Sequence, residues 1–372
     1  MLLPIKFGRK KMNIKLERRP KMQGSKKTDN NQTVKMYDYY IAIDWSLEGA
    51  AIAHMKSNSI EPKVRDNIPA NIKTIKEYLK ELRGTKILTV EETTGSQWLY
   101  VELKDSVDKI IICNPKRNRL LDEGPKTDKI DARKLCLLLR GGMLKEVYHT
   151  DNNERYKIRK LVSAYEDLVK AEVRLKNQIS ALYRAIGIRG KKERSEYKKD
   201  DDTLNFIIDS KMRELEILLE EKQKYETSFK EISRKDEVIK EINRISGFGP
   251  ILSVEGYGIV IDAGRFENKY KFWSYSGLVK EKRESGKTSY KRKNKLYNRK
   301  LKCIFKMATQ AALGGKNDIR EYYEYLEGIG YTPKDARNAV TRYLATSFYA
   351  VMKKATKYEP YYWRKKLADK AA

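Results

Sequence analysis

Cysteine and histidine are scarce in this sequence, and their scarcity excludes several kinds of site. Its 372 residues include three cysteines and two histidines. Cys113, Cys136 and Cys303 lie far apart, and no two of them form a Cys-x-x-Cys pair. This spacing argues against a zinc site and against a disulfide scaffold. A chain without disulfides is typical of the cytoplasm, and we predict a cytoplasmic location.

Long hydrophobic runs and negative charge are also lacking. No apolar run approaches the length of a membrane-spanning helix, and no signal peptide with an apolar core is visible, so no membrane partner is predicted. Lys and Arg number 80 against 51 Asp and Glu, a formal net charge of +29. Such an excess is rare unless a polyanion offsets it, which favours nucleic acid as the partner. With 40% hydrophobic residues the chain can still build cores, and its length allows two or three domains.

Residues 1–35 differ in texture from the rest of the chain, being basic and weakly periodic. One interpretation is a flexible tail, or translation upstream of a true start at Met22 or Met36. The other is an arm that binds nucleic acid. The segment is predicted to be a basic flexible arm.

Residues 36–150 alternate between short hydrophobic runs and amphipathic stretches. Strands are predicted at Tyr39–Asp44, Ala50–Met55, Val64–Ile68, Ile87–Val90 and Ile110–Cys113. Helices are predicted at 72–82, 96–103 and 132–140. Strands first, then alternating strands and helices, predict a mixed α/β sheet covered by helices.

Acidic residues follow these strands at equivalent positions. They are Asp44, Glu92, Asp128 and Asp131. Ligands of such sheets gather at the carboxyl ends of strands, and carboxylates that close repel one another unless a cation separates them. Two divalent ions about 3.5–4 Å apart suit in-line phosphoryl transfer. Glu91 stays open as an alternative to Glu92, because adjacent strand residues face opposite sides.

Residues 151–243 are predicted to be long, charged helix. Apolar residues keep a three-four spacing from Ile158 to Ile186, with Glu172 as the polar interruption. After a break at 187–202, a second apolar seam runs from Leu204 to Ile232. This pattern predicts an antiparallel helical hairpin or coiled coil. Its seams serve either packing within one chain or a dimer interface.

Residues 244–357 are predicted to form a mainly helical domain, followed by a basic, aromatic tail at 358–372. The stretch Ile245–Pro250 places two glycines around a phenylalanine, as a helix-hairpin-helix turn does. Backbone N–H groups of such a turn can contact a phosphate, which makes Gly247 and Gly249 candidate contacts.

A very basic run with interleaved tyrosines extends from Tyr290 to Lys302. This composition suits phosphate contacts combined with base stacking. Ser285 is expected in a polar loop just before the run. It is either an ordinary loop residue or a nucleophile, which would need activation by a base or a metal.

Two sets of motifs resemble those of DEDD-type insertion-sequence transposases. Asp44 after a strand, Glu92-Thr93-Thr94-Gly95, Asn114-Pro115 and Lys126-Thr127-Asp128…Asp131-Ala132-Arg133 resemble the family's RuvC-like (RNase H-like) domain. Ile245–Pro250, Gly264-Arg265-Phe266, Tyr275-Ser276-Gly277-Leu278 and Glu284-Ser285-Gly286 resemble its second transposase domain. The resemblance covers about residues 37–355 and points to insertion-sequence family one-ten, related to the Piv pilin-gene invertase. One departure is Lys280, where the family usually has proline.

The resemblance implies an α/β domain joined to all-α segments, and a DNA recombinase guided by a structured bridge RNA that the element encodes. Asp44, Glu92, Asp128 and Asp131 would bind Mg²⁺, two ions per site, with Mn²⁺ as a substitute. Ser285 would attack the phosphate of donor or target DNA and form a covalent phosphoserine link.

Strand exchange would then proceed through a Holliday-junction-like intermediate. Dimers would assemble into a tetramer through the helical segment, the acids of one protomer working with the serine of another. Nucleic-acid contacts are expected at Lys126, Arg133, Gly247, Gly249, Lys287, Lys291, Arg292, Lys293 and Arg299.

Two alternatives explain the same residues differently. A Mg²⁺-dependent structure-selective nuclease, such as a junction resolvase, would use the four acids with water as nucleophile and form no protein–DNA adduct. A non-enzymatic architectural or RNA-binding protein would use the acids as helix caps, and Asp128→Ala would leave DNA reactions untouched.

Overall fold

The computed structural model describes residues 36–115, 127–190, 193–194, 201–285, 288–293 and 296–371. These residues form two compact units, which divide between His149 and Thr150. The basic arm of residues 1–35, Lys126 and Lys287 lie outside the described residues. No helix in the described ranges is long and apolar enough to cross a membrane.

Five strands form one mixed sheet in the first unit, as the sequence predicts. They are β1 (Tyr39–Trp45), β2 (Gly49–Lys56), β3 (Lys63–Pro69), β4 (Lys86–Glu91) and β5 (Lys109–Cys113). The strand order is β3-β2-β1-β4-β5. β1 and β3 both run antiparallel to β2, whereas β4 is parallel to β1 and β5 to β4.

Helices cover both faces of this sheet. They are α1 (Ile72–Glu81), α2 (Ser96–Leu103) and α3 (Asp128–Arg140). Because strand residues alternate in direction, Ile41 and Ile43 pack in one core with residues of α1 and α2, and Ala42 packs in another with α3. Each fully buried Ile side chain contributes roughly 1.5–3 kcal/mol to folding.

The helix α3 begins earlier than its apolar pattern indicates. Thr127 is its N-cap, and the hydroxyl of Thr127 accepts a hydrogen bond of 3.3 Å from the Ile130 N–H. Asp128 and Asp131 therefore both lie in the first turn, where the N–H groups of a helix favour negative charge.

The second unit is mainly helical, with a single two-stranded hairpin among its described residues. Its helices are α4 (Asn153–Ala185), α5 (Asp202–Lys235), α6 (Glu237–Asn243), α7 (Pro250–Val260), α8 (Lys269–Tyr275), α9 (Arg299–Leu313), α10 (Asp318–Gly328), α11 (Pro333–Lys354) and α12 (Tyr362–Ala371). The hairpin consists of β6 (Lys280–Ser285) and β7 (Thr288–Lys293). The prediction that Ser285 lies in a loop is therefore wrong, since Ser285 is the last residue of β6.

The long helices α4 and α5 pack as an antiparallel pair. Glu172, the polar interruption of the seam, accepts hydrogen bonds from Lys176 (2.5 Å) and Lys222 (2.9 Å). These two ammonium groups lower the pKa of Glu172. The interruption is thus a nearly buried ion-pair centre that joins the two helices, and a buried charge is tolerated only when it is paired in this way.

A single aromatic core holds the remaining helices together. Phe229, Phe272, Phe305 and Phe348 are fully buried, and the rings of Phe305 and Phe348 meet edge to face with centroids 5.4 Å apart. Val162 of α4 belongs to the same core.

The C-terminal tail joins this core as well. Tyr358 and Trp363 are buried, and the Trp363 indole N–H donates to the Asp318 carbonyl at 3.1 Å. The Tyr358 hydroxyl donates to the Asp318 carboxylate. Residues 358–371 are therefore anchored to α10.

Candidate active site

Asp44 lies next to the end of β1, on the sheet face that α3 covers. Its partner across β2 is Ala51, which packs in the α3-side core with Ala42. Ala42 lies two residues before Asp44 on the same face of the strand and is fully buried. Packing of Ala42 therefore fixes the direction in which the Asp44 side chain leaves the strand. The sequence thus places a half-buried carboxylate at the carboxyl end of a central strand.

The first turn of α3 brings two further carboxylates near Asp44. Burial raises the pKa of Asp44 to about 6, and the negative charges of Asp128 and Asp131 act in the same direction. Like charges act this way only over short distances. Three of the four acids that the sequence singles out are therefore electrostatically coupled.

The fourth acid belongs to the Glu91–Glu92 pair, and strand register separates the two. Glu91 is the last residue of β4 and pairs with Cys113, which packs in the α3-side core. Extending the pairing of Ile43 with Val90 places Glu91 beside Asp44. Glu92 lies one residue past the strand, and its N–H donates to the Cys113 carbonyl at 2.9 Å. Register therefore favours Glu91, whereas the Thr-Thr-Gly that comes after the pair favours Glu92.

The chemistry of these groups fits a hard divalent cation. All of them offer carboxylate oxygens, the ligands that Mg²⁺ prefers. Burial is the main cause of the raised pKa of Asp44, and the charges of Asp128 and Asp131 add a repulsion that a cation would relieve. Across the described ranges, no three His, Cys, Asp or Glu side chains are close enough to hold one ion together. The donors fit by type and charge, and metal binding would require them to draw closer.

Two cations of α3 form exposed ion pairs with acids of the first unit. The Arg133 guanidinium donates to Glu61 at 3.1 Å through Nε, and Lys129 lies 3.8 Å from Asp66. Both pairs are exposed, and exposed pairs contribute about 0–1 kcal/mol. A phosphate can therefore replace Glu61 as the partner of Arg133, which keeps Arg133 a candidate DNA contact.

Ser285 is positioned by backbone pairing in the second unit. Within the hairpin, Ser285 pairs with Thr288, Arg283 with Tyr290 and Lys282 with Lys291. The side chains of Lys291, Arg292 and Lys293 lie outside the described residues, although their backbones belong to β7. Arg299 is exposed at the start of α9.

The two glycines of the turn between α6 and α7 have different roles. Gly247 has φ +93°, and a Cβ there would lie 2.1 Å from the Ala308 carbonyl oxygen. It is glycine because α9 packs against it. Gly249 is the exposed N-cap of α7, followed by Pro250, and a Cβ there would meet nothing within 4 Å.

Basic residues that sequence reasoning missed gather beside Gly249. A cavity of about 380 Å³ at the start of α7 is lined by Lys230, Arg234 and Lys240. The sequence signal was slight, since these cations lie near the end of one helix and in the next and only the tertiary fold brings them together. The open helix start and the three cations together suit a phosphate.

A mixed sheet with carboxylates at the ends of its strands, in a strongly basic chain, is typical of proteins that process nucleic acids. Comparison with known proteins makes this specific. Residues 41–187 match a model of DEDD transposases of the IS110 type, and residues 239–324 match the transposase IS116/IS110/IS902 family. The chain belongs to this family of insertion-sequence transposases.

A curated relative agrees with the family models. The chain is 27% identical over 132 residues to the "Insertion element IS116 uncharacterized 44.8 kDa protein" of Streptomyces clavuligerus. The matched stretch covers 35% of this chain and 33% of that protein. The chain thus spans about one third of the relative's length.

Proposed function

We propose that this chain is a DNA transposase that cuts and rejoins donor and target DNA with the help of divalent metal ions. The observation that carries the proposal is the electrostatic coupling of Asp44 with Asp128 and Asp131, within the stretch that matches the DEDD transposase model. The strand order of the sheet in the first unit, with β2 antiparallel between β1 and β3, is consistent with an RNase H-like domain.

In this proposal Asp44, Asp128, Asp131 and one glutamate of the Glu91–Glu92 pair hold Mg²⁺. The bound metal neutralises phosphate charge and lowers the pKa of a coordinated hydroxyl. These carboxylates belong to β1, the end of β4 and the first turn of α3, so the proposed site lies at the carboxyl ends of β1 and β4.

Ser285 is the proposed nucleophile. Its Oγ attacks phosphorus, a P–Oγ ester forms, and the bond from phosphorus to the leaving deoxyribose oxygen breaks. The serine proton passes to solvent and the leaving oxygen takes up a proton. The ester conserves the energy of the cleaved bond, so the strands can be rejoined without external energy. The backbone pairing supports this role, because Ser285 and Thr288 form the last pair between two strands rich in basic residues.

Guidance by an element-encoded bridge RNA and assembly of dimers into a tetramer are further parts of the proposal. The formal charge of +29 supports simultaneous contact with RNA and DNA. The helical pair α4–α5, which carries exposed apolar side chains, and the turn from α6 to α7 are the proposed assembly and phosphate-binding elements. The site of action is proposed to be the cytoplasm, at the nucleoid.

A covalent-adduct assay tests the chemistry. The full chain is incubated with Mg²⁺, RNA transcribed beside its gene, and end-labelled donor and target DNA, then denatured. We expect an adduct with wild type and none with Ser285→Ala or Asp128→Asn.

Asp335→Asn is the matched control for Asp128→Asn. Asp335 also lies in the first turn of a helix capped by a threonine, Thr332. If Asp128 only stabilised the start of its helix, the two variants should form the adduct equally well. If Asp128 binds metal, as proposed, Asp335→Asn should still form the adduct and Asp128→Asn should not. Cleavage without adduct, unaffected by Ser285→Ala, would instead show a water-using nuclease, and no cleavage in any sample would contradict an enzymatic role.

A further inference from the structure

A cavity in the second unit has no part in the function proposed above. It measures about 670 Å³ and lies between α8, α11 and the C-terminal tail. Its volume falls within the range of about 300–1,000 Å³ that small-molecule sites occupy. All of its lining residues are among the described residues.

The cavity wall is rich in aromatic side chains that are held in place. The Trp273 indole N–H donates to the Thr346 hydroxyl at 3.2 Å, which fixes the indole plane. Tyr322 and Tyr343 pack together with ring centroids 5.1 Å apart. Tyr362 lines the rim and remains 39% exposed. The wall therefore offers fixed π surfaces beside one that faces solvent.

Positive charge dominates the same wall. Its cations are Lys269, Arg342, Lys354, Lys357 and Lys366, against the single carboxylate of Glu359. Glu359 itself lies 3.8 Å from Lys365. In the described part of the chain, no ion pair neutralises Lys269, Arg342, Lys354 or Lys357. This excess of positive charge favours an anionic ligand.

Cations and rings are arranged as one surface. The Lys366 ammonium lies 4.9 Å from the centre of the Tyr362 ring, and the Lys269 ammonium lies 5.9 Å from that of Trp273. A ligand that stacks on either ring therefore brings its charge close to an ammonium group.

We propose that this cavity binds an unpaired nucleotide of a single-stranded nucleic acid, the base against the aromatic wall and the phosphate among the lysines. Stacking is available to any base, and cations that follow the backbone complete this mode of binding. A base-paired duplex keeps both faces of each base inside the stack, so it has no base to offer. The ligand is an unpaired nucleotide of either RNA or DNA, and the inference rests on the proposed function only in taking nucleic acid as substrate.

Binding of short labelled oligonucleotides tests the proposal on the full chain. Fluorescence anisotropy in EDTA compares oligouridine, oligothymidine (each about 12 nucleotides long) and a blunt DNA duplex. The test variant is Tyr362→Ala/Lys357→Ala. The matched control is Tyr331→Ala/Lys316→Ala, which removes an exposed tyrosine and an exposed lysine that do not line the cavity.

We expect the test variant to bind single strands roughly tenfold more weakly, while its duplex affinity and the control variant stay within about twofold. A larger loss on oligouridine identifies RNA as the source, and a larger loss on oligothymidine identifies DNA. Equal losses on single strands and duplex would overturn the proposal, because a plain phosphate-binding surface predicts that result. Unchanged single-strand affinity would overturn it too.

Cross-linking provides a second readout that does not depend on the variants. Oligouridine carrying 4-thiouridine is irradiated with the wild-type chain, and the cross-linked peptides are identified by mass spectrometry. Cross-links to peptides containing Trp273 or Tyr362 are expected, and cross-links confined to other peptides would contradict the proposal. Both assays omit Mg²⁺ and cleavage, so a chain inactive in the adduct assay can still confirm nucleotide binding.

Discussion

Single residues decide the candidate active site, and Asp44 shows how. Its carboxylate is half-buried at a strand end and repelled by Asp128 and Asp131, so its pKa rises to about 6. The unfolded chain would keep the ordinary value of 3.8. The folded state therefore binds more protons than the unfolded state between these values, and its stability falls as pH rises through them. The site is built at a cost to folding that a cation would offset.

Replacing Asp44 should thus stabilise the metal-free protein. We expect Asp44→Asn to raise the free energy of unfolding by about 1–2 kcal/mol near neutral pH in EDTA, since a shift of one pKa unit corresponds to about 1.4 kcal/mol and solvent screens part of the effect. Below about pH 4 the difference should vanish. Urea denaturation at several pH values measures it.

Mg²⁺ should then stabilise wild type but not Asp44→Asn. Asp66→Asn, at an exposed position of β3, is the control and should behave as wild type. Lower stability of Asp44→Asn in EDTA, together with no effect of Mg²⁺ on wild type, would refute the repulsion argument.

The adjacent glutamates give the second prediction at this scale. Strand residues alternate, so only one of Glu91 and Glu92 can join the carboxylates near Asp44. We expect one of Glu91→Gln and Glu92→Gln to lower adduct formation at least about 100-fold, as loss of a metal ligand or its immediate support does. The other should stay within about threefold.

Each outcome of that comparison has a structural meaning. Loss at Glu91 agrees with the register of β4 with β1, and loss at Glu92 requires the end of β4 to rearrange when metal binds. Equal losses, or none, would contradict a single glutamate ligand.

Among elements, the turn between α6 and α7 is constrained by packing more than by its sequence motif. Gly247 has positive φ and touches the backbone of α9, while Gly249 is open. Gly247→Ala should therefore cost about 2–4 kcal/mol of unfolding free energy, combining backbone strain with displacement of α9. Gly249→Ala, with ordinary φ, should cost less than about 1 kcal/mol.

Urea denaturation measures the free energy of unfolding of the two variants, and fluorescence anisotropy measures their affinity for DNA. If Gly249→Ala is stable yet binds DNA more weakly, the turn contacts phosphate at that position. Equal destabilisation of the two variants would contradict the packing argument.

Elements whose hydrophobic pattern matches their burial could be predicted from the sequence. The run around Ile41 and Ile43 is buried in a central strand, so pattern and structure agree. The apolar pattern predicts the start of α3 too late because the first turn of this helix is polar, although Thr127 is a residue that favours the N-cap. The β6–β7 hairpin cannot be predicted from hydrophobic pattern, since its strands are charged and do not alternate between apolar and polar residues. The grouping of Lys230 with Lys240 depends on tertiary packing, which spacing does not encode.

At the scale of the whole molecule, the helical pair α4–α5 carries apolar side chains that its own packing leaves exposed. Val173, Phe206 and Ile217 are 52%, 69% and 61% exposed, respectively. The inner seam, by contrast, is filled from Tyr165 and Phe229 to Ile179 and Ile208. Exposed apolar residues on a paired helix are the kind of surface that a second copy covers.

We therefore expect Phe206→Ser/Ile217→Ser to lower the oligomeric state of the full chain without unfolding it. Sedimentation velocity at micromolar concentration measures this. Leu47→Ser/Ile60→Ser removes two exposed apolar side chains from the first unit and is the control. A shift to smaller species in the control alone, or in neither variant, would exclude the helical pair as the assembly surface.

The anchored C-terminal tail affects which mutations inactivate copies of such an insertion sequence. Tyr358 and Trp363 fill the core beside Asp318, and the tail also closes the aromatic cavity. A stop codon or frameshift just before Tyr358 would leave every proposed catalytic residue intact, yet open the core to water. Purifying selection on the reading frame should therefore extend at least to Trp363, well past the last residue with a proposed role in chemistry.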